Sequence, residues 1–177
     1  IDFAAALGVK SFGCHVGFIP HDPTHPEYIA VRDLVRRIAD YAASHGMTYC
    51  LETGQEPADQ LLAFFDDVDR ANVKINFDPA NMLLYDMDEP IEALGKLAPH
   101  VQQVHVKDAR RTRVKGAWGE EVVVGTGQVD WVAFVRTLAE ADYEGDYIFE
   151  REAGNDRVGD IQKGIRALQS AMQQVGP

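Results

Sequence analysis

The sequence has few basic residues for its length, and this shortage narrows the possible partners. Among 177 residues, 17 are Lys or Arg and 28 are Asp or Glu, which leaves a net charge of -11 at pH 7. Because nucleic acids and anionic membranes attract Lys and Arg, we expect neither as a partner. One basic cluster is suited to an anionic group on a small substrate, although such clusters more often form solvated loops: Lys107, Arg110, Arg111, Arg113 and Lys115.

Cysteine and long apolar runs are also scarce. Cys14 and Cys50 sit in apolar runs, which predicts buried free thiols in a reducing compartment, with a disulfide between them as the alternative. No apolar run approaches the ~20 residues of a membrane-spanning helix, so we expect a cytoplasmic protein without a membrane partner. The chain begins at Ile1 rather than Met, and we expect its true N-terminus, with any targeting signal on it, to be missing.

Short apolar strands and amphipathic helices alternate along the chain, which predicts a parallel sheet covered by helices. Strands are predicted within 9–18, over 47–51 and 73–77, at the start of 101–111, and over 147–149. Helices are predicted over about 28–45, 57–70, 90–97, 130–141 and 157–174. Glycines at 116, 119, 125 and 127 interrupt this alternation. Residues 112–128 are therefore predicted to form either an inserted loop or lid or, equally, a surface hairpin.

The number of predicted units falls short of a closed barrel. A complete (β/α)8 barrel usually takes about 250 residues. We therefore predict that residues 1–177 form a single α/β domain, namely the C-terminal part, with about five βα units, of a TIM barrel that lacks its first three strands. A smaller open sheet is the alternative.

Polar residues end four predicted strands, at the edge where parallel α/β proteins build their sites. They are Glu52, Asp78, His105 and Glu150. Three carboxylates and one imidazole suit Mn2+, Mg2+ or Co2+ better than a thiolate-preferring metal, although Zn2+ is also possible. The alternatives are helix-capping acids at 52 and 78, a core histidine at 105 and an ion-pair partner at 150. Lys107 shares a strand face with His105, so the two should point together.

Several segments resemble the sugar-phosphate isomerase/epimerase family, the xylose isomerase-like TIM barrels. They are LETGQE, NFDPAN, VHVKDA, GTGQVDW and YIFEREAG. The resemblance covers nearly the whole chain, and it implies a divalent metal held by Glu52, Asp78, His105 and Glu150. It also implies that Glu52 and Glu150 are the catalytic acid and base, and that Arg111 contacts the substrate.

One residue departs from the family pattern. Epimerases of this family usually carry Asp-x-x-His after the sixth barrel strand, whereas Asp78 is followed here by Asn81, which can hydrogen-bond a substrate hydroxyl but cannot shuttle a proton. This difference weakens the likeness to those epimerases and to the endonucleases of the superfamily. Further residues that are predicted by position to line the substrate pocket, with packing or solvation as the alternative, are His15, Gln55, Glu56, Lys107 and Trp118.

We therefore expect a metal-dependent isomerase or epimerase that acts on a small sugar or polyol through an enediolate. The alternatives are a dehydratase that uses the same enolate and then expels a hydroxyl, a nuclease, which the acidic charge disfavours, and a non-catalytic binding domain that keeps the barrel without its metal. Association into a homo-oligomer is compatible with each of these.

Overall fold

The computed structural model describes residues 1–114 and 116–176, so Lys115 of the basic cluster lies outside the described residues. The strands are β1 (Ser11–Cys14), β2 (Thr48–Glu52), β3 (Val73–Phe77), β4 (Val101–Val106), β5 (Asp108–Arg110), β6 (Glu120–Val122) and β7 (Tyr147–Phe149). The helices are α1 (Asp2–Ala6), α2 (Pro26–Ser44), α3 (Ala58–Val68), α4 (Pro79–Leu84), α5 (Pro90–Leu97), α6 (Trp131–Glu140) and α7 (Arg157–Val175), with a 3-10 turn at Ala98–His100. No helix of this described part is both long and apolar enough to cross a membrane.

Five strands form one sheet in the order β1-β2-β3-β4-β7, and every neighbouring pair is parallel. The predicted parallel sheet with covering helices is therefore confirmed. The β-branched residues of β4 explain one side of it: Val104 and Val106 are fully buried, in the same apolar cluster as Phe134 and Leu138 of α6. Because strand residues alternate between faces, His105 points to the opposite side.

That opposite side is concave. Strands β1 and β4 are three strand spacings apart, which would separate them by about 14 Å in a flat sheet. Instead, Ser11 Oγ of β1 donates a hydrogen bond to Gln103 Oε1 of β4 at 3.2 Å. The sheet is therefore curled around its polar face, as in part of a barrel wall.

Two predictions about individual segments can be compared with the structure. Cys14 is exposed, so its predicted burial is wrong, because β1 lies at the edge of the sheet that the described residues form. Cys50 on β2 is buried as expected, and both thiols are free. The interruption at 112–128 contains β6, which pairs antiparallel with β5, so this segment takes the hairpin alternative. Its opening and closing as a lid stays a prediction.

Candidate metal centre

Four polar side chains converge at the carboxyl ends of neighbouring strands. Glu52 ends β2, Asp78 follows β3, His105 lies near the end of β4, and Glu150 follows β7. One ligand atom of each lies within 4.8 Å of the others. The structure thus brings together all four residues that the sequence singled out, and we call this group the acid-histidine cluster.

His105 Nδ1 is the shared point of contact within the cluster. It lies 3.3 Å from Glu52 Oε1, 3.5 Å from Asp78 Oδ2 and 3.3 Å from Glu150 Oε2. Despite these short distances, Nδ1 and Asp78 Oδ2 are both buried, and neither has an aligned hydrogen-bond partner among the residues that the structure describes. Buried polar atoms without a partner are costly, and here they face one another around one point. This donor set, with three carboxylates and one imidazole nitrogen, fits a hard divalent cation.

The charges of the cluster depend strongly on one another. Burial would lower the pKa of His105, but the three adjacent carboxylates outweigh burial and raise the pKa to about 11. Burial would likewise raise the pKa of Glu52, but its close contacts with the His105 and His15 rings outweigh burial and hold the pKa at about 2. Burial dominates at Asp78 and raises its pKa. A proton on His105 therefore supplies the positive charge that a cation would otherwise supply, and the two would compete for Nδ1.

The fixed backbone around Asp78 explains its complete burial. Its Oδ1 caps α4 by accepting hydrogen bonds from the backbone N–H groups of Ala80, at 2.8 Å, and Asn81, at 3.0 Å. Thr53 Oγ1 accepts from the Asp78 N–H at 2.8 Å and donates to its carbonyl oxygen at 3.2 Å. Capping uses one carboxylate oxygen and leaves the other, Oδ2, directed to the cluster.

Asn76, which sequence reasoning missed, holds the other side of the His105 ring. Its Nδ2 lies 3.0 Å from His105 Nε2, and its Oδ1 is buried without a partner. A half-turn of the amide places Oδ1 against Nε2–H, which pairs the orphan oxygen and leaves the Nδ1 lone pair directed to the three carboxylates. This tautomer of histidine can bind a metal through Nδ1. The only sequence signal was the polar residue's position two before Asp78.

Lys107 and Glu152 extend the cluster at its Glu150 side. Lys107 is 3% exposed, and its Nζ donates to Glu150 Oε2 at 3.0 Å and to Glu152 Oε2 at 2.7 Å. Since His105 also approaches Glu150 Oε2, the predicted common direction of His105 and Lys107 is confirmed. The pKa of Lys107 is raised because nearby Asp78, Glu152 and Glu150 outweigh its burial. Glu152 was not predicted, although its place two residues after Glu150 on an extended chain was a signal.

Asn81 and His15 lie against Glu52, on the other side of the cluster. Asn81 Nδ2 donates to Glu52 Oε1 at 3.0 Å, and His15 Nε2 lies 3.2 Å from the same oxygen. Gly54 allows this packing, because its φ of 140° is rare for other residues and an added Cβ would collide with the Asn81 side chain. The structure therefore brings two predicted substrate-binding residues to the cluster.

The other predicted substrate-binding residues make contacts outside the four cluster residues. The Arg111 guanidinium donates to Asp86 at 2.6 Å, to Glu89 at 2.8 Å and to the Asp88 carbonyl at 2.9 Å, so three of its five N–H donors bond to the loop before α5. Its contact with a substrate stays a prediction. Gln55 is half-buried, and Trp118 is exposed with its ring 5.2 Å from that of Tyr85.

Glu56 faces a separate cavity. Its carboxylate accepts a hydrogen bond from Ile19 N–H at 2.8 Å and lines a cavity of about 300 Å³ together with Tyr28 and Gln60, whereas none of the acid-histidine cluster lines it. Burial raises the pKa of Glu56 to about 7. The structure therefore does not bring Glu56 to the cluster, because its backbone contact holds it beside the loop after β1.

Comparison with known protein families finds a match along nearly the whole chain. Residues 1–171 match the sequence model of a family described as "Xylose isomerase-like TIM barrel". A crystal structure of a xylose isomerase domain protein from Planctomyces limnophilus is 40% identical, with a TM-score of 0.91 over 98% of this chain and 62% of that chain. A xylose isomerase-like TIM barrel protein from Mycobacterium smegmatis, in complex with magnesium, is 22% identical, with a TM-score of 0.73 over 99% of this chain and 65% of that chain.

Curated relatives are more distant in sequence. The uncharacterized protein YihM of Escherichia coli (strain K12) is 28% identical over 78% of this chain and 43% of its own length. L-ribulose 3-epimerase of Methylomonas sp. (strain DH-1) is 29% identical over 66% of this chain and 39% of its own length. Inosose dehydratase of Clostridium botulinum (strain Alaska E43 / Type E3) is 24% identical over 76% of this chain and 50% of its own length. The chain thus spans half or less of the length of each of these relatives.

Proposed function

Because the chain belongs to the family of xylose isomerase-like TIM barrels, we propose that it acts with a divalent metal as an isomerase or epimerase of a small sugar or polyol. The observation that carries this proposal is the acid-histidine cluster, in which two buried atoms face one another without partners. The family contains sugar-modifying relatives, including an L-ribulose 3-epimerase and inosose dehydratases. The magnesium complex of a protein with this fold adds support for a divalent ion.

The metal would be held by Glu52, Asp78, His105 and Glu150. When bound there, a divalent cation polarises a substrate carbonyl and makes the neighbouring C–H group more acidic. Mn2+, Mg2+ and Co2+ suit the donor set best, and Zn2+ is compatible with it.

Glu52 and Glu150 are the proposed acid and base. They end β2 and β7, which have β3 and β4 between them, so they approach the cluster from its two sides. The pKa of Glu150 is lowered by contact with His105 against its burial, and by Lys107, while the pKa of Glu52 is about 2. Both side chains are therefore carboxylates at neutral pH and able to accept a proton. One would remove a proton from the substrate carbon to form an enediolate, and the other, after taking up a proton from solvent, would deliver it to the opposite face.

A dehydratase is the second candidate, and Lys107 favours it. Its buried ammonium group donates to Glu150, so a protonated donor lies beside the proposed base. The positive charge of this ammonium group would stabilise a departing hydroxyl, and the proton that the base has removed from carbon would leave with it as water. Asn81, which stands where the epimerases have His, cannot supply that proton.

The test is product analysis in D2O. The purified protein is loaded with Mn2+ and incubated with a panel of ketoses, inososes and keto-sugars, and products are identified by NMR and mass spectrometry. Epimerised or isomerised sugar with solvent deuterium at the reacting carbon supports the proposal, whereas loss of water identifies a dehydratase. Glu150→Gln is the matched control. A protein that binds metal but converts nothing on the panel would contradict both activities.

A further inference from the structure

The segment that carries Glu150 is the least supported part of the acid-histidine cluster. Strand β7 has three residues and, among the described residues, pairs only with β4; the Glu150 N–H reaches the Val106 carbonyl at 3.3 Å. The Glu150 side chain is 31% exposed, whereas those of Glu52 and His105 are 13% exposed and that of Asp78 is fully buried. Edge strands move more easily than central ones because one row of backbone groups is unpaired. Among the described residues, contacts from outside the sheet also hold this carboxylate in place.

A buried carboxylate of β6 accepts hydrogen bonds from the backbone that follows Glu150. Glu121 accepts hydrogen bonds from the backbone N–H of Glu152, at 3.1 and 3.3 Å to its two oxygens, and from that of Ala153, at 3.2 Å. Glu121 Oε1 also accepts from Arg151 Nη1 at 2.8 Å. The Glu121 side chain is 8% exposed, and hydrogen bonds to a buried charge are among the stronger ones.

Arg151 ties the same segment to α7. Its Nε donates to Asp160 Oδ2 at 3.1 Å, and the side chains of both residues are 10% exposed. The guanidinium of Arg151, the residue that follows Glu150, thus bonds to one carboxylate of β6 and to one carboxylate of α7. A nearly buried ion pair of this kind adds little net stability but imposes a defined geometry, because each charge is costly without its partner.

The ribbon formed by β5 and β6 is itself anchored to the strand that carries His105. Strand β5 begins two residues after β4 ends, and Asp108 at its start is 1% exposed. The Asp108 carboxylate accepts from the N–H groups of Gly125, Gly127 and Val129 at 2.9 to 3.2 Å, and from Trp131 Nε1 at 3.2 Å. An added Cβ at Gly127 would collide with this carboxylate. The ribbon is therefore fixed relative to His105.

We propose that Glu121 is a positioning residue that keeps Glu150 within the acid-histidine cluster by fixing the backbone of Arg151, Glu152 and Ala153. This inference rests on the proposed function, since it gives the arrangement a purpose in metal binding. The ribbon links the strand of His105 to the strand of Glu150 from outside the sheet, where no hydrogen-bonded neighbour on the free side of β7 is present among the described residues.

The test compares Glu121→Ala and Glu121→Gln with Glu120→Ala, which removes an exposed carboxylate from the same strand. Mn2+ affinity is measured by isothermal titration, and circular dichroism checks the fold of each variant. We expect Glu121→Ala to weaken Mn2+ binding by about 10-fold or more, as outer residues around metal sites do. Glu121→Gln should lose less, because its amide oxygen still accepts from the backbone, and Glu120→Ala should match the wild type.

A double variant separates positioning from general structural damage. If Glu121 acts through Glu150, then Glu121→Ala should cause no further loss of Mn2+ affinity in a Glu150→Ala background. An equal loss in both backgrounds, or wild-type affinity in Glu121→Ala alone, would overturn the proposal.

A metal-free measurement distinguishes this proposal from the proposed function. Amide hydrogen exchange at Glu150, Glu152 and Ala153 should be faster in Glu121→Ala than in the wild type, while exchange at Met82 of α4 stays the same. Unchanged exchange at those three amides overturns the positioning role. Failure of the wild type to bind any divalent cation contradicts the proposed function instead.

Discussion

The middle and the edge of the sheet hold their parts of the acid-histidine cluster by different means. Asp78 and His105 follow or belong to β3 and β4, each of which has a hydrogen-bonded strand on both sides. Asp78 is further held by N–H groups of the helix that it caps. Glu150 follows the edge strand β7, and its surroundings are fixed by long side chains: Lys107, Glu121 and Arg151.

This difference indicates that the ligands on central strands are held rigidly and that the ligand after the edge strand can adjust. In the middle, local backbone contacts determine the position of the ligand atoms, and those contacts survive most surface substitutions. At the edge, contacts between residues about 30 or 40 positions apart do the same task, so single distant substitutions should matter there. Changes to the ligands in the middle should weaken metal binding most, and changes at the edge should weaken it less.

The largest effect on metal affinity is expected from a change at Asp78, in the middle of the sheet. Asp78→Asn keeps the Oδ1 acceptor that caps α4 but removes the negative charge and the buried Oδ2 that faces His105. We expect Mn2+ affinity to fall by at least about 100-fold, the upper end of what outer residues around metal sites cause. Isothermal titration checks this. Asp130→Asn, which changes the corresponding cap of α6, is the control and should bind as the wild type does.

The next effect compares the two proposed acid-base residues. Glu52→Gln and Glu150→Gln keep the side-chain shape and a metal-binding oxygen but remove the base, so turnover should fall by about 10² to 10⁴-fold while substrate still binds. The rate constant and KM are measured on whichever panel sugar reacts. Normal turnover in either variant, or product without solvent deuterium in the wild type, would favour direct hydride transfer between carbons.

Asn76 tests whether the orientation of the His105 ring, in the middle of the sheet, affects metal binding. Asn76→Ala removes the partner of His105 Nε2, and the freed ring should lose its fixed orientation and tautomer. We expect Mn2+ affinity to fall by about 10 to 100-fold, as for other outer partners of metal-binding histidines. Gln103→Ala on the same concave face is the matched control, and equal losses in the two variants would contradict a specific role for Asn76.

The smallest effect concerns a buried carboxylate outside the cluster. The folded-state pKa of Glu56, about 7, is above the unfolded value, so ionising it disfavours folding as pH rises through about 4.5 to 7. Glu56→Gln should therefore be more stable than the wild type by about 1–3 kcal/mol at pH 8 and similar to it at pH 4.5. Urea unfolding at both pH values measures this, with exposed Glu92→Gln as the control. An unchanged stability difference between the two pH values would contradict the raised pKa.

The sequence could predict the middle of the site because the information there is local. A run of β-branched and apolar residues that ends on Asp, Glu or His marks both the strand and the end at which the polar side chain lies. Parallel pairing then brings these ends together, so Glu52, Asp78 and His105 could be grouped before their distances were known. The same rule placed Glu150 correctly, since it follows the short apolar run of β7.

The rest depended on contacts that leave no periodic signal. The hydrogen bonds of Glu121 to the backbone after Glu150 join residues that are 31 and 32 positions apart. The Asp108 carboxylate accepts from three amides of the glycine-rich loop and from a tryptophan. Arg111 was expected at the substrate, but acids at 86 and 89 lie within its reach. Cys14 was expected to be buried because its run is apolar, whereas exposure depends on which strands flank β1.

The most direct test of the central claim is a titration of Mn2+ into metal-free wild type and His105→Ala. His105 Nδ1 is the atom on which all three carboxylates of the cluster converge. If the acid-histidine cluster is a metal centre, the wild type should bind one ion per chain, and His105→Ala should lose that binding. Equal binding by the two proteins, or no binding by the wild type, would contradict it.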